Sequence, residues 1–175
     1  MSAKLTFEIE PNANPVSAED RAARIAAPGF GKVFTDHMVT IRYSEERGWH
    51  DAKVTARQPL VLDPATAVLH YAQEIFEGLK AYRLEDGGMA LFRPEANAQR
   101  FNSSARRMAM AELPEELFIE ACKLLVDIDK KWFPDVEGGS IYLRPFMIAS
   151  EVFLGVKPSS EYLFMVIASA VGGYF

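Results

Sequence analysis

Tyr142 and Arg144 stand two residues apart in the run Ser140-Ile141-Tyr142-Leu143-Arg144. In a strand that spacing puts both side chains on one face. A guanidinium grips a carboxylate through two parallel N–H donors, and a phenol adds a third bond. Flanked by Ile141, Leu143 and Phe146, the pair suits a small organic acid. The same spacing also suits a solvated pair at a sheet edge, since arginine is usually exposed. Arg100 lies one residue before Phe101, at the border of an apolar helical stripe. It could reach a phosphate, or be solvated like its neighbours Arg106 and Arg107. Between Leu69 and Lys80, His70 and Tyr71 read as core residues with satisfied polar tips, and Gly78 as a close approach of backbone. Asp36 and His37 share no spacing with other ligand types, so a metal site is not expected. The sequence holds neither a phosphate-cradling glycine loop nor a Gly-x-Ser-x-Gly elbow.

These residues need strands and helices to aim them. Val33 to Tyr43 is rich in β-branched and aromatic residues and predicts a strand. Glu45 to Gly48 turns the chain, and Trp49 to Thr55 returns as an antiparallel partner. Pro59 and Pro64 keep residues 58–68 extended or looped. Glu77 to Arg83 and Met89 to Arg93 predict two strands joined at Gly87-Gly88. Phe101, Ala105 and Met108 repeat at helical spacing from Glu95 to Met110, with Pro94 in the first turn. Pro114 opens a second helix with Leu117, Ala121, Leu124, Ile128 and Trp132 on one face, ended by Pro134. Ser140 to Ala149 and Tyr162 to Ala170 predict two more strands. The continuous apolar run of the second implies burial on both faces. Residues 1–28 read as an irregular arm with a short helix, Ala18 to Ile25, that Ser17 could cap. Residues 29–175 read as one α+β domain, an antiparallel sheet with two helices packed on it.

Composition narrows the function classes. The 175 residues carry 19 basic and 24 acidic side chains, a net charge of −5, with 49% hydrophobic residues. This is the mix of a soluble globular chain. The acidic balance argues against nucleic acid as the main partner, and no apolar run reaches the ~20 residues needed to span a bilayer. A single cysteine, Cys122, forbids an internal disulfide. Met1 to Pro15 lacks the apolar core of a secretory signal, so a cytoplasmic location is expected. The final residues, Val171-Gly172-Gly173-Tyr174-Phe175, follow a central-looking strand directly. They suggest a break at a domain boundary.

Five ordered segments carry a family resemblance. They are Phe30 to Met38, Leu69 to Arg83, Phe92 to Asn97 with Arg100, Tyr142-Leu143-Arg144-Pro145, and Leu154-Gly155-Val156. In this order the chain resembles the N-terminal domain of branched-chain amino acid aminotransferases, fold type IV enzymes that use pyridoxal 5'-phosphate. The resemblance runs from about Phe30 to the last residue. It implies that Arg100 binds the cofactor phosphate and that Tyr71 lies beside cofactor and substrate. It implies that Tyr142 and Arg144 meet a substrate carboxylate, notably the distal one of glutamate. Phe30 and Tyr174 resemble aromatics lining the branched side-chain pocket. Leu154 and Val156 resemble a loop reaching into a partner subunit's site, which implies a homodimer. The implied substrates are leucine, isoleucine and valine, with glutamate and 2-oxoglutarate.

The same resemblance marks a departure. The family's Schiff-base lysine lies in the C-terminal domain, and Lys80 does not match it. Lysine is the covalent anchor and proton shuttle in such enzymes. Residues 1–175 therefore read as the recognition half of an enzyme, with no catalytic residue of their own. Two other readings stay open at this point. One is a D-amino acid aminotransferase or aminodeoxychorismate lyase relative, disfavoured by the Tyr142 to Pro145 motif and the Phe30 segment. The other is a non-catalytic dimerisation or small-acid-binding module.

Overall fold

β-Branched and aromatic runs build the sheet that aims the candidate residues. In the computed structural model, which describes residues 5–173, its strands are β1 (Glu8–Ile9), β2 (Val33–Ser44), β3 (Gly48–Ala56), β4 (Glu74–Phe76), β5 (Leu79–Arg83), β6 (Met89–Leu91), β7 (Ser140–Ala149) and β8 (Glu161–Val171). The order is β1-β3-β2-β8-β7-β5-β6, with β4 also paired to β7. Every pairing is antiparallel except β1 with β3. β7 spans the length predicted for it, and β8 is buried along nearly its whole length on both faces.

Helices α1 (Ala18–Ile25), α2 (Val68–Tyr71), α3 (Pro94–Arg107) and α4 (Glu115–Ile128) complete the architecture. α3 and α4 are the two predicted for the sheet. Pro94 sits in the first turn of α3, where its missing N–H costs nothing. Glu115 and Glu116 occupy the first turn of α4, where negative charge complements the helix dipole. Phe101 of α3, Phe118 of α4 and Phe164 of β8 meet with ring centroids 5.4–6.0 Å apart and lock helices to sheet. Along β7, Ile141, Leu143 and Met147 join this core, while Tyr142, Arg144 and Phe146 alternate to the opposite face.

Four expectations need correction. The arm is not wholly irregular: Glu8 and Ile9 pair in parallel with Lys53 and Val54, and the Lys53 ammonium lies 2.9 Å from both Glu8 and Glu10. Its helix does form as expected, with the Asp20 N–H donating to Ser17 Oγ at 3.0 Å. The strand predicted over Glu77 to Arg83 begins at Leu79, and that over Met89 to Arg93 stops at Leu91 because Arg93 turns with φ +48°. The buried stripe of α4 runs through Leu117, Phe118, Ala121, Cys122 and Leu125; Leu124 and Ile128 lie at its margin. Trp132 follows in a separate 3-10 turn, buried against the core. Finally, His70 and Tyr71 are exposed, not core; His70 Nε2 is satisfied by the Pro64 carbonyl at 2.8 Å.

Candidate functional site

The face of the sheet away from α3 and α4 carries a cleft of about 220 Å³. Phe30, Phe34, Tyr142, Arg144, Ile167 and Ser169 line it. Strand alternation brings Tyr142 and Arg144 together as the sequence predicted, and Arg144 Nη2 donates to the Tyr142 hydroxyl at 2.8 Å. The guanidinium lies 4.5 Å from the Phe76 ring centroid and 5.5 Å from that of Tyr142. Arg144 Nε is buried and has no acceptor among the described residues. A ligand entering the cleft cannot reach the buried Nε, so a carboxylate would meet the terminal nitrogens of the guanidinium. Phe30 packs on Tyr142 with ring centroids 5.1 Å apart and supplies an apolar wall. The cleft thus combines one polar grip with hydrocarbon, which suits a small organic acid with an apolar part.

Gly78 makes this packing possible. A Cβ at that position would collide with the Tyr142 hydroxyl and come within 3.0 Å of its Cζ. β4 and β5 run in series along the same side of β7, and Glu77-Gly78 is the break between them. The Glu77 N–H donates to the Pro145 carbonyl at 2.8 Å. Pro145 has no N–H to return, so the ladder opens where the two residues are needed for other contacts.

Glu77 turns toward α3. Its carboxylate accepts Arg100 Nε and Nη2, each at 2.6 Å, and Asn97 Nδ2 at 2.9 Å. Burial alone would raise this carboxyl, but the hydrogen bonds from Arg100 and Asn97 and the Arg100 charge outweigh it and hold the group below the usual carboxylate range. Arg100 is raised by the same contact. Its side chain remains 66% exposed. Beside it a groove of about 490 Å³ is lined by Ser103, Ser104 and Arg107 of the same helix, with Glu74 and Phe76 of β4 also on its wall. Two guanidiniums and two hydroxyls form a donor set that fits a phosphate monoester.

Tyr71, Leu154 and Val156 line neither the cleft nor the groove. Tyr71 stacks on Phe153 with centroids 6.1 Å apart. The segment is strapped to residues 65–67 by the Phe153 N–H to the Ala65 carbonyl (3.1 Å) and the Ala67 N–H to that of Glu151 (2.9 Å). Leu154 is 70% and Val156 96% exposed, and neither lines the Tyr142–Arg144 cleft. Tyr174 lies outside the described residues.

Comparison with known proteins bears on the family and the fold. No family model matches the chain. It is 62% identical over 172 residues to a probable branched-chain-amino-acid aminotransferase of Streptomyces coelicolor, a match covering 97% of the chain and 47% of that relative. Two crystal structures of the T.th. branched-chain amino acid aminotransferase, one with pyridoxamine 5'-phosphate and one with N-(5'-phosphopyridoxyl)-L-glutamate, superpose with TM-scores of 0.57 and 0.56 at 26% and 25% identity. Each covers 77% of this chain and 41% of that one. The chain is a homologue of the branched-chain-amino-acid aminotransferases. It spans about half the length of the curated relatives it matches, and its sheet and helices match the N-terminal domain of the fold type IV aminotransferases.

Three residues of the site matter that the sequence did not single out. Glu77 and Asn97 hold Arg100, and Phe76 lies against Arg144. Gly78 was the one signal, since it marked a close approach without saying to what. Asp36 and His37 belong to the scaffold. Asp36 accepts from Trp132 Nε1 at 2.8 Å and from the Val16 N–H at 3.0 Å. His37 Nδ1 lies 2.7 Å from buried Asp129, while its Nε2 accepts the Asn12 N–H at 2.8 Å. The Asn12 contact makes Nε2 the acceptor, which leaves the proton on Nδ1. Together they fasten the arm to the sheet.

Proposed function

We propose that this chain is the substrate-recognition half of an enzyme that moves an amino group between leucine, isoleucine or valine and 2-oxoglutarate. The carrying observation is the Tyr142–Arg144 pair in a mainly apolar cleft, with 2.8 Å between hydroxyl and guanidinium. Arg144 holds the distal carboxylate of glutamate or 2-oxoglutarate, and Tyr142 orients the guanidinium. Phe30, Phe34 and Ile167 exclude water and receive a branched side chain when the second carboxylate is absent. Arg100, with Ser103 and Ser104, holds the phosphate of pyridoxal 5'-phosphate. When bound, that cofactor supplies the electron sink that the transfer requires.

Exposed Leu154 and Val156 support the reading that their loop serves the site of a second copy in a homodimer, since they do not line the cleft of their own chain. The single buried cysteine accords with a cytoplasmic location, and no helix among the described residues is long and apolar enough to cross a membrane. Residues 1–175 alone are expected to be inactive, because the family's Schiff-base lysine matches no lysine among them.

The test is to express the full reading frame containing this chain, add pyridoxal 5'-phosphate, and follow glutamate formed from leucine and 2-oxoglutarate. Stoichiometric turnover is expected. Binding of 2-oxoglutarate without turnover would favour a small-acid-binding module, and turnover of D-alanine in preference to leucine would favour the D-amino acid relatives.

A further inference from the structure

Arg100 is long, and its side chain is largely in water, yet its guanidinium is not loose. The side-on contact with Glu77 engages Nε–H and one Nη2–H. An arginine fork has five N–H donors, so three remain to meet an anion. The partner that fixes it is 5% exposed and is itself tied twice more, to Asn97 by its carboxylate and to Pro145 by its N–H. The contact is therefore anchored in the core at one end and open to a ligand at the other. Immediately after Glu77, Gly78 packs against Tyr142. One dipeptide thus connects the guanidinium at the groove to the phenol at the cleft.

We infer that Glu77 is a positioning residue for phosphate recognition, pre-orienting Arg100 so that its remaining donors face a phosphate monoester at the groove with Ser103 and Ser104. The inference rests on the reading of Arg100 as a phosphate ligand. A free arginine loses substantial rotamer freedom when it binds, and a side chain already held in its binding geometry loses less. The carboxylate also works against binding, because its charge repels the phosphate. The two effects give opposite signs on replacement, which makes the inference testable. Glutamine at position 77 keeps the size but removes the charge and one acceptor, and its amide presents donors to donors on Arg100 or Asn97. Pre-orientation expects weaker phosphate binding in that variant; simple charge neutralisation expects tighter binding.

The experiment measures dissociation constants for pyridoxal 5'-phosphate and for pyridoxal, which lacks the phosphate, in the full reading frame. The ratio of the pyridoxal constant to that of its phosphate reports the phosphate contribution alone and does not move with a general loss of folded protein. Glu77→Gln is expected to lower that ratio by about tenfold, with pyridoxal little affected. Arg100→Ala should lower it at least as far, and the double variant no further than Arg100→Ala, because one residue acts through the other. Thermal melts establish that each variant is folded. Should Glu77→Gln fail to fold, Glu77→Asp carries the test: it keeps the charge but draws the guanidinium back, and the ratio should still fall. An unchanged or increased ratio in a folded Glu77 variant, with Arg100→Ala still lowering it, overturns the positioning role and leaves the reading of Arg100 intact. An unchanged ratio in Arg100→Ala overturns both. Equal losses for pyridoxal and its phosphate show a structural role only and also overturn it.

Discussion

Replacing Arg144 by alanine separates the two substrates of the proposed reaction. In the cleft, Arg144 donates to Tyr142 at 2.8 Å and lies over Phe76 at 4.5 Å. A charge-assisted hydrogen bond to a substrate carboxylate contributes about 1.5–3 kcal/mol. At about 1.36 kcal/mol per decade this is roughly one to two decades in kcat/KM for 2-oxoglutarate. Leucine offers no second carboxylate, so its kcat/KM should change by less than about threefold, roughly the 0.5 kcal/mol scatter of a neutral contact. Arg144→Lys should fall between, since the charge remains but the planar fork and its stacking on Phe76 do not. Tyr142→Phe should cost about 0.5–1.5 kcal/mol on 2-oxoglutarate through one lost hydrogen bond. The assay is steady-state kinetics of the full reading frame with each substrate varied in turn. Equal losses for leucine and 2-oxoglutarate would refute the assignment of Arg144 to the distal carboxylate.

Four further outcomes are expected. Arg100→Ala leaves the Glu77 carboxylate buried with Asn97 as its remaining side-chain partner, and should cost about 1–3 kcal/mol of stability in urea unfolding; the lower end is expected because Arg100 is largely exposed. Because Glu77 titrates below its unfolded value, its stabilisation is complete above the unfolded pKa and is lost as pH falls through the lower folded one. The acid limb of the urea midpoint should therefore be flatter in Glu77→Gln than in the parent; parallel limbs would refute this. Gly78→Ala should displace Tyr142 and cost about 1–3 kcal/mol by overpacking, visible as a lower melting temperature and loss of 2-oxoglutarate selectivity. Cys122 is completely buried and burial pushes its thiol up, so it should resist thiol reagents in native protein and react on unfolding.

Local pattern made some of this legible and topology concealed the rest. Period-2 alternation placed Tyr142 and Arg144 on one face, and the Ser17 cap and the proline at the head of α3 marked helix starts, because those signals act within a few residues. The parallel pairing of Glu8 and Ile9 was hidden because two residues carry no periodicity. The break at Glu77-Gly78 depends on Pro145 across the sheet, and the Glu77–Arg100 contact on a helix docking beside that break. His37 and Asp129 are likewise far apart in sequence. Leu124 looked like part of the α4 seam because its spacing fits, but the docking rotation of the helix set Leu125 and Phe118 inward instead.

The order of the strands carries a consequence for how this chain is made. β8 lies between β2 and β7, so the sheet acquires its centre from the last strand of the described segment. Val33 must wait for Ala170, and Tyr43 for Tyr162. During synthesis the β2–β3 hairpin therefore emerges with an edge carrying Met38, Val39 and Ile41, open until nearly all the intervening chain has been translated. Such long-range pairing slows folding, and an open apolar edge invites pairing with another nascent chain. Yield in a heterologous host should therefore depend more on chaperone supply and expression temperature than on the stability of the finished fold.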